Sequence, residues 1–274
     1  MNANRMDVKE RLRTLLLSTT STRKHSAYQM LPTRLADFIG SHGAQLKPKR
    51  ERERLEYLSP RINFRNKTAL DIGSNIGYFT FELLDAGCSK VTAYEGGDVH
   101  CEFLSLAVKA LGNEGQVSVQ HEYFDFLRDI AQHDIALLLN VVHHTGDDYG
   151  DACENIEEAK LLMLEQLNLT WNYADILIFQ MGFNWKGDIS RCLFPNGTKQ
   201  EMIDFISRGT VNRWEVEHIG IAEKFGDGIR YADLNRFNIN RDDSLGEFLN
   251  RPIFIMRAKR PSNPPENLRG GNSQ

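Results

Sequence analysis

The sequence predicts an α/β fold, a doubly wound and mostly parallel sheet of seven strands with a helical N-terminal cap. Three observations predict it. From Lys67 onward, short apolar runs alternate with segments of helical length and periodicity. The first run, Thr68 to Thr80 (TALDIGSNIGYFT), passes from a buried-strand pattern through Gly73 and Gly77 into an aromatic helix start. The second, VTAYEGG, ends on a carboxylate, Glu95. Sheets of this kind bind ligands at the carboxyl ends of their strands, where both the glycine loop and Glu95 fall.

Ahead of the sheet, residues 5–18 carry Met6, Leu12, Leu15 and Leu16 among basic residues, as an amphipathic helix does. A Ser/Thr-rich break follows at 18–26, then a second helix at 31–39 that stops near Gly40. The charge run KPKRERERLEYLSP, 47–60, reads as a solvated helix with neighbouring ion pairs, and its sharper reading sets Lys47, Lys49 and Arg50 beside a site for an anionic acceptor. Strands are expected at 68–72, 90–94, 116–121, 134–140, 174–181, 213–221 and 252–258. Helices are expected between them at 77–86, 98–111, 154–168 and 198–207. The polar stretch 224–250 is too long for a plain connection and reads as an insertion or lid. These features divide the chain into a cap (1–62), a main domain (63–260) and a Pro- and Gly-rich tail (261–274) expected to be disordered.

With 274 residues, a net charge of -4 and a pI near 6.1, the chain has no global electrostatic reason to bind nucleic acid non-specifically. No run approaches a bilayer span and the N-terminal residues lack a signal-peptide pattern, so a cytoplasmic location is expected. Cys88, Cys101, Cys153 and Cys192 have neither metal-ligand spacing nor the density of a disulfide framework. No metal is expected: His143 and His144 fall short of a zinc set, and Asp147, Asp148 and Asp151 read as a solvated turn and helix start.

The glycine loop is not G-x-G-x-x-G, and no Lys-Ser/Thr follows it, which argues against dinucleotide and P-loop sites. A carboxylate closing the neighbouring strand can accept both hydroxyl protons of a ribose, so the pair describes a nucleoside site. DIGSNIG with Glu95 resembles the first two motifs of the class I S-adenosylmethionine-dependent methyltransferases, over roughly residues 65–260. The resemblance implies a Rossmann-like methyltransferase domain with S-adenosyl-L-methionine as cofactor and S-adenosyl-L-homocysteine as product. It implies that Asp71, Gly73, Ser74, Asn75 and Gly77 line the amino-acid end of the cofactor, that Glu95 holds the ribose, and that Gly96 and Gly97 let the backbone run beneath the sugar. Glu122 is then a partner for the adenine amino group, and Tyr123 or Phe124 a stacking surface.

In that family the end of the fourth strand faces the transferred methyl group, which puts Asn140, His143 and His144 at the acceptor, with Asn140 also bordering the cofactor. A neutral imidazole there can take a proton from a hydroxyl nucleophile, or simply pack. Asn184, Trp185, Lys186 and Arg191, after the fifth strand, and Lys24 and His25 in the cap are the candidate acceptor-binding residues. The competing account of Trp185 is core or lid packing. LNRPIFIMRAKR is similar to the last strand of methyltransferases that act on sugars or phosphates, lipopolysaccharide-modifying and RNA phosphate-capping enzymes among them, and NVVHHT is similar to the first of these groups and departs from the second. The expected reaction is O-methylation of a polar acceptor, a small molecule, glycan or phosphate. RNA methylation and a non-catalytic cofactor-binding module are the alternatives, and RNA is the less favoured partner.

Overall fold

The computed structural model describes residues 2–19, 30–40, 49–147, 150 and 152–260. Among these residues, eight strands form one sheet in the order β3-β2-β1-β4-β5-β8-β6-β7. The parallel half comprises β1 (Thr68–Ile72), β2 (Lys90–Tyr94), β3 (Val117–Gln120), β4 (His133–Leu139) and β5 (Ala174–Gln180). The antiparallel half comprises β6 (Trp214–Phe225), β7 (Gly228–Asp233) and β8 (Ile253–Ala258), with β8 inserted between β5 and β6. The expected seven strands therefore become eight. The additional strand is β7, which lies within the stretch expected to be an insertion or lid. Strand β6 continues to Phe225, the chain turns at Gly226 (φ 56°), and β7 returns along the sheet edge. Of β7's residues only Tyr231 is buried, as suits an edge strand with one face on the core.

Alternation along each strand sends side chains to two separate cores. On one face, Ala69, Val91 and Ile135 meet Phe81 of α4 (Tyr78–Asp85) and Phe103 and Leu104 of α5 (Asp98–Leu111). On the other, Leu70, Leu138 and Phe179 meet Met163 of α6 (Ile156–Leu169) and Met202 and Ile206 of α7 (Lys199–Thr210). Helix α7 starts on a reciprocal capping box between Thr198 and Glu201, and α5 ends at Gly112 in the left-handed conformation (φ 70°).

Helices α1 (Asn2–Thr19) and α2 (Thr33–Ile39) add Leu12, Leu15, Leu16, Leu35 and Ile39 to the first core. Helix α3 (Glu51–Leu58) differs from the solvated helix that its charge run suggests. Arg50 and Glu53 do pair at the surface at 3.1 Å, but Glu51 and Arg54 are 0% and 2% exposed. Tyr57 explains the burial: its hydroxyl donates to Asp233 of β7 at 2.7 Å, and its ring packs against Gly220 of β6. A Cβ at Gly220 would come within 2.5 Å of that ring, so glycine there allows α3 to dock. Among the described residues no helix is long and apolar enough to cross a membrane.

Candidate functional site

The loop between β1 and α4 is stitched to the end of β2. The Gly73 and Ser74 amides donate to the Tyr94 carbonyl at 2.9 and 3.0 Å. Gly73, Asn75 and Gly77 all have positive φ (73°, 53° and 87°), and a Cβ at Gly77 would lie 2.4 Å from Leu104 Cδ1. Glycine is thus required at position 77 by conformation and by contact with α5. Glu95 spans the loop: Oε2 accepts the Asn75 N–H at 2.7 Å and Oε1 the Gly97 N–H at 2.8 Å. Burial raises the Glu95 pKa against the opposing pull of those two amides. Asp71, fully enclosed, accepts the Thr80 hydroxyl at 2.6 Å, and burial pushes its carboxyl up to about 6.

This pair of acceptors fits a vicinal diol. Each Glu95 oxygen takes one amide proton and keeps a lone pair for a hydroxyl, the requirement for holding a ribose diol. Gly96 is the close-approach position, because a Cβ there would lie 2.5 Å from the Tyr123 ring. Tyr123 remains 40% exposed, whereas Phe124 is buried in edge-on contacts with Tyr94, Phe126 and Tyr173. Glu122 is exposed and paired with Arg128. Beside Tyr123 a cavity of about 410 Å³ opens between the segment after β3 and Leu162, Gln166 and Leu169 of α6.

The ends of β4 and β5 form a second, hydrogen-bonded corner. Asn140, at φ 63°, donates its backbone N–H to the Gln180 carbonyl at 2.7 Å and its Nδ2 to Gln180 Oε1 at 3.1 Å. Arg251 Nη1 donates to Asn140 Oδ1 at 2.7 Å, and its other edge grips Glu247 at 2.6–3.0 Å. Gln180 Nε2 donates to the Arg251 carbonyl at 3.0 Å, while Arg54 Nη1 reaches Gln180 Oε1 at 3.4 Å.

His143 lies beside this corner, 3% exposed, with its ring centroid 4.3 Å from that of His144. Burial first, then the charges of Arg251 and His144, hold its pKa well below the ordinary imidazole value. It is neutral at physiological pH and a weak base, with Nδ1 lacking a hydrogen-bond partner among the described residues. A Cβ at Gly182 would lie 2.9 Å from His143 Cδ2 and 3.1 Å from Arg251 Nη2, so glycine keeps this space open. His144 is half-buried and faces the turn after β5, where Gly187 lies.

That turn is held by its own polar atoms. Trp185, 2% exposed, donates its indole N–H to the Thr145 carbonyl at 2.7 Å. Lys186 (φ 55°) donates to the Gly146 carbonyl at 2.7 Å and lies 4.7 Å from the Trp185 ring. Asn184 bridges to Cys192, and exposed Arg191 lies over Trp185 and 3.7 Å from Asp188. Lys24, His25 and Lys47, together with the 261–274 tail, lie outside the described residues. The structure thus brings Asp71, Ser74, Asn75 and Glu95 into one loop cluster, and Asn140 and His143 into another. Arg54, Gln180, Glu247 and Arg251 complete the second cluster without having been singled out in the sequence.

Comparison with solved structures finds this architecture in other proteins. WbdD at 2.2 Å resolution is matched at a TM-score of 0.55 and 12% identity, over 90% of this chain and 46% of that one. Another structure of WbdD, described as a bifunctional kinase-methyltransferase, is matched at a TM-score of 0.51 and 14% identity, again over 90% and 46%. The chain therefore spans about half the length of WbdD. A Pyrococcus horikoshii protein provisionally assigned as an RNA methyltransferase aligns over 92% of this chain and 98% of its own, at 13% identity and a TM-score of 0.47. No family model matches the sequence, and no curated protein matches it. The likeness to WbdD shows a shared fold.

Proposed function

We propose that this chain is an S-adenosylmethionine-dependent methyltransferase that O-methylates a polar acceptor such as a sugar, a phosphate or a small metabolite. The observation that carries the reading is Glu95. A buried carboxylate, tied by backbone amides to a glycine loop at the end of the adjacent strand, keeps a free lone pair on each oxygen for a vicinal diol. When bound, the cofactor's sulfonium supplies an electrophilic methyl group.

The protein's own contribution is positioning. Glu95 holds the ribose, and the loop from Asp71 to Gly77 lies against the amino-acid end, where its glycines permit close approach. Tyr123 and Glu122 border the adenine end. Asn140, fixed in a left-handed conformation by Gln180 and Arg251, lies between the cofactor and acceptor corners. His144 takes the acceptor hydroxyl proton, while neutral His143 packs behind it. Alignment of nucleophile and methyl group then accounts for much of the acceleration. Asn184, Lys186 and Arg191 form the outer rim toward the acceptor, with Trp185 as the buried post that supports it.

Calorimetric titration with S-adenosylhomocysteine and, separately, with NAD tests the reading. Binding of the thioether product and none of NAD is expected. Tight NAD binding with no response to the thioether would overturn it.

A further inference from the structure

The acceptor corner holds more cationic charge than its carboxylates cancel. Lys49 Nζ and the guanidinium carbons of Arg54 and Arg251 lie 4.9, 5.4 and 5.0 Å from the centroid of one ring, that of Phe248. Facing these three cations are two carboxylates. Glu51 pairs with Arg54 at 3.2 Å, and Glu247 pairs with Arg251 at 2.6 Å. The cations keep donors in reserve. Arg54 is 2% exposed, and its Nε has no hydrogen-bond partner among the described residues. Arg251 spends Nε and one N–H of each terminal nitrogen on Glu247 and Asn140, leaving the second N–H of each. Lys49 Nζ makes no hydrogen bond among the described residues, and burial beside Arg251 lowers its pKa.

Gathering like charges around one ring, half out of water, is unfavourable unless an anion joins them. Two guanidinium forks and an ammonium form the donor set that recognises oxyanions. Arg54 also lies 5.1 Å from the ring of Phe79 on α4, the helix that leaves the glycine loop, so the corner adjoins the proposed cofactor site.

We propose that the acceptor carries an oxyanion group, the chemistry shared by phosphates and carboxylates, and that Lys49, Arg54 and Arg251 bind it against Phe248. The inference rests on the methyltransferase reading for the identity of the acceptor, but not for the anion site itself. The test is calorimetric titration of the protein with inorganic phosphate and with acetate at constant ionic strength, with and without saturating S-adenosylhomocysteine. It is repeated on Lys49→Gln and Arg251→Gln.

Saturable binding of at least one anion, weakened roughly tenfold or more in both variants while S-adenosylhomocysteine affinity is unchanged in Lys49→Gln, is the expected result. The tighter of the two anions then names the acceptor class. Absence of saturable binding for both, or equal affinity in wild type and Lys49→Gln, would overturn the proposal. If Arg251→Gln does not fold, the partly exposed Lys49→Gln decides alone. Anion binding that depends on Lys49 in a protein that ignores S-adenosylhomocysteine keeps the anion site and removes the methyltransferase reading.

Discussion

Replacing Glu95 by glutamine keeps the side chain's volume and removes its charge, which isolates the function proposed for it. In the free protein the carboxylate accepts two backbone amides, at 2.7 and 2.8 Å. Glutamine can accept through one oxygen only, and its NH2 group would face the other amide. The ribose diol would add two more donors to the same carboxylate. A hydrogen bond to a charged group is worth about 1.5–3 kcal/mol, so Glu95→Gln should weaken S-adenosylhomocysteine binding by roughly 10- to 150-fold.

Burial raises the Glu95 pKa, whereas a ribose donating to the ionised form lowers it. Binding to the wild type should therefore weaken as pH falls through the raised pKa, and this dependence should vanish in the variant. Calorimetry from pH 4.5 to 8, with melting curves to confirm folding, is the assay. An affinity within twofold of wild type and an unaltered pH profile would refute the role given to Glu95.

Asp71→Asn should stabilise the protein at neutral pH by about 1–3 kcal/mol, because Asp71's carboxyl is pushed from 3.8 up to about 6 by burial. The wild-type contribution is fully present below 3.8 and lost as pH rises through about 6, so the advantage measured by urea unfolding should disappear in acid; a pH-independent difference would contradict this. His144→Ala should depress turnover about 100-fold while S-adenosylhomocysteine affinity stays near wild type. Full activity would leave His144 structural. Gly182→Ala would place a methyl group 2.9 Å from His143 Cδ2 and 3.1 Å from Arg251 Nη2. Turnover should fall roughly tenfold or more with cofactor affinity unchanged, as overpacking confined to the acceptor side demands.

The loop cluster around Glu95 was legible because its determinants are local. Gly73, Gly77 and Glu95 belong to two short motifs, and parallel pairing of β1 with β2 brings those motifs together wherever the sheet forms. Strand β7 was less legible, since GIRYAD buries one side chain and an edge strand carries little hydrophobic pattern. The Asn140 corner was obscured for a different reason. Nothing in the charge run shows that Glu51 and Arg54 face inward; that follows from Tyr57 finding Asp233, far away in the chain. Gln180 and Arg251 acquire their meaning from each other and from Asn140, across separations that no local pattern spans.

Those separations also set an order of assembly. Arg54 meets Gln180 across 126 positions, Gln180 meets Arg251 across 71, and Asn140 meets Arg251 across 111. During synthesis the glycine loop and Glu95 emerge together and can close early, whereas the Asn140 corner must wait for Arg251. Contacts of such range are slow to form and exact loop-closure entropy before they return any stabilisation. A chain stalled before Arg251 would hold the loop cluster around Glu95 while the Asn140 corner stayed unformed.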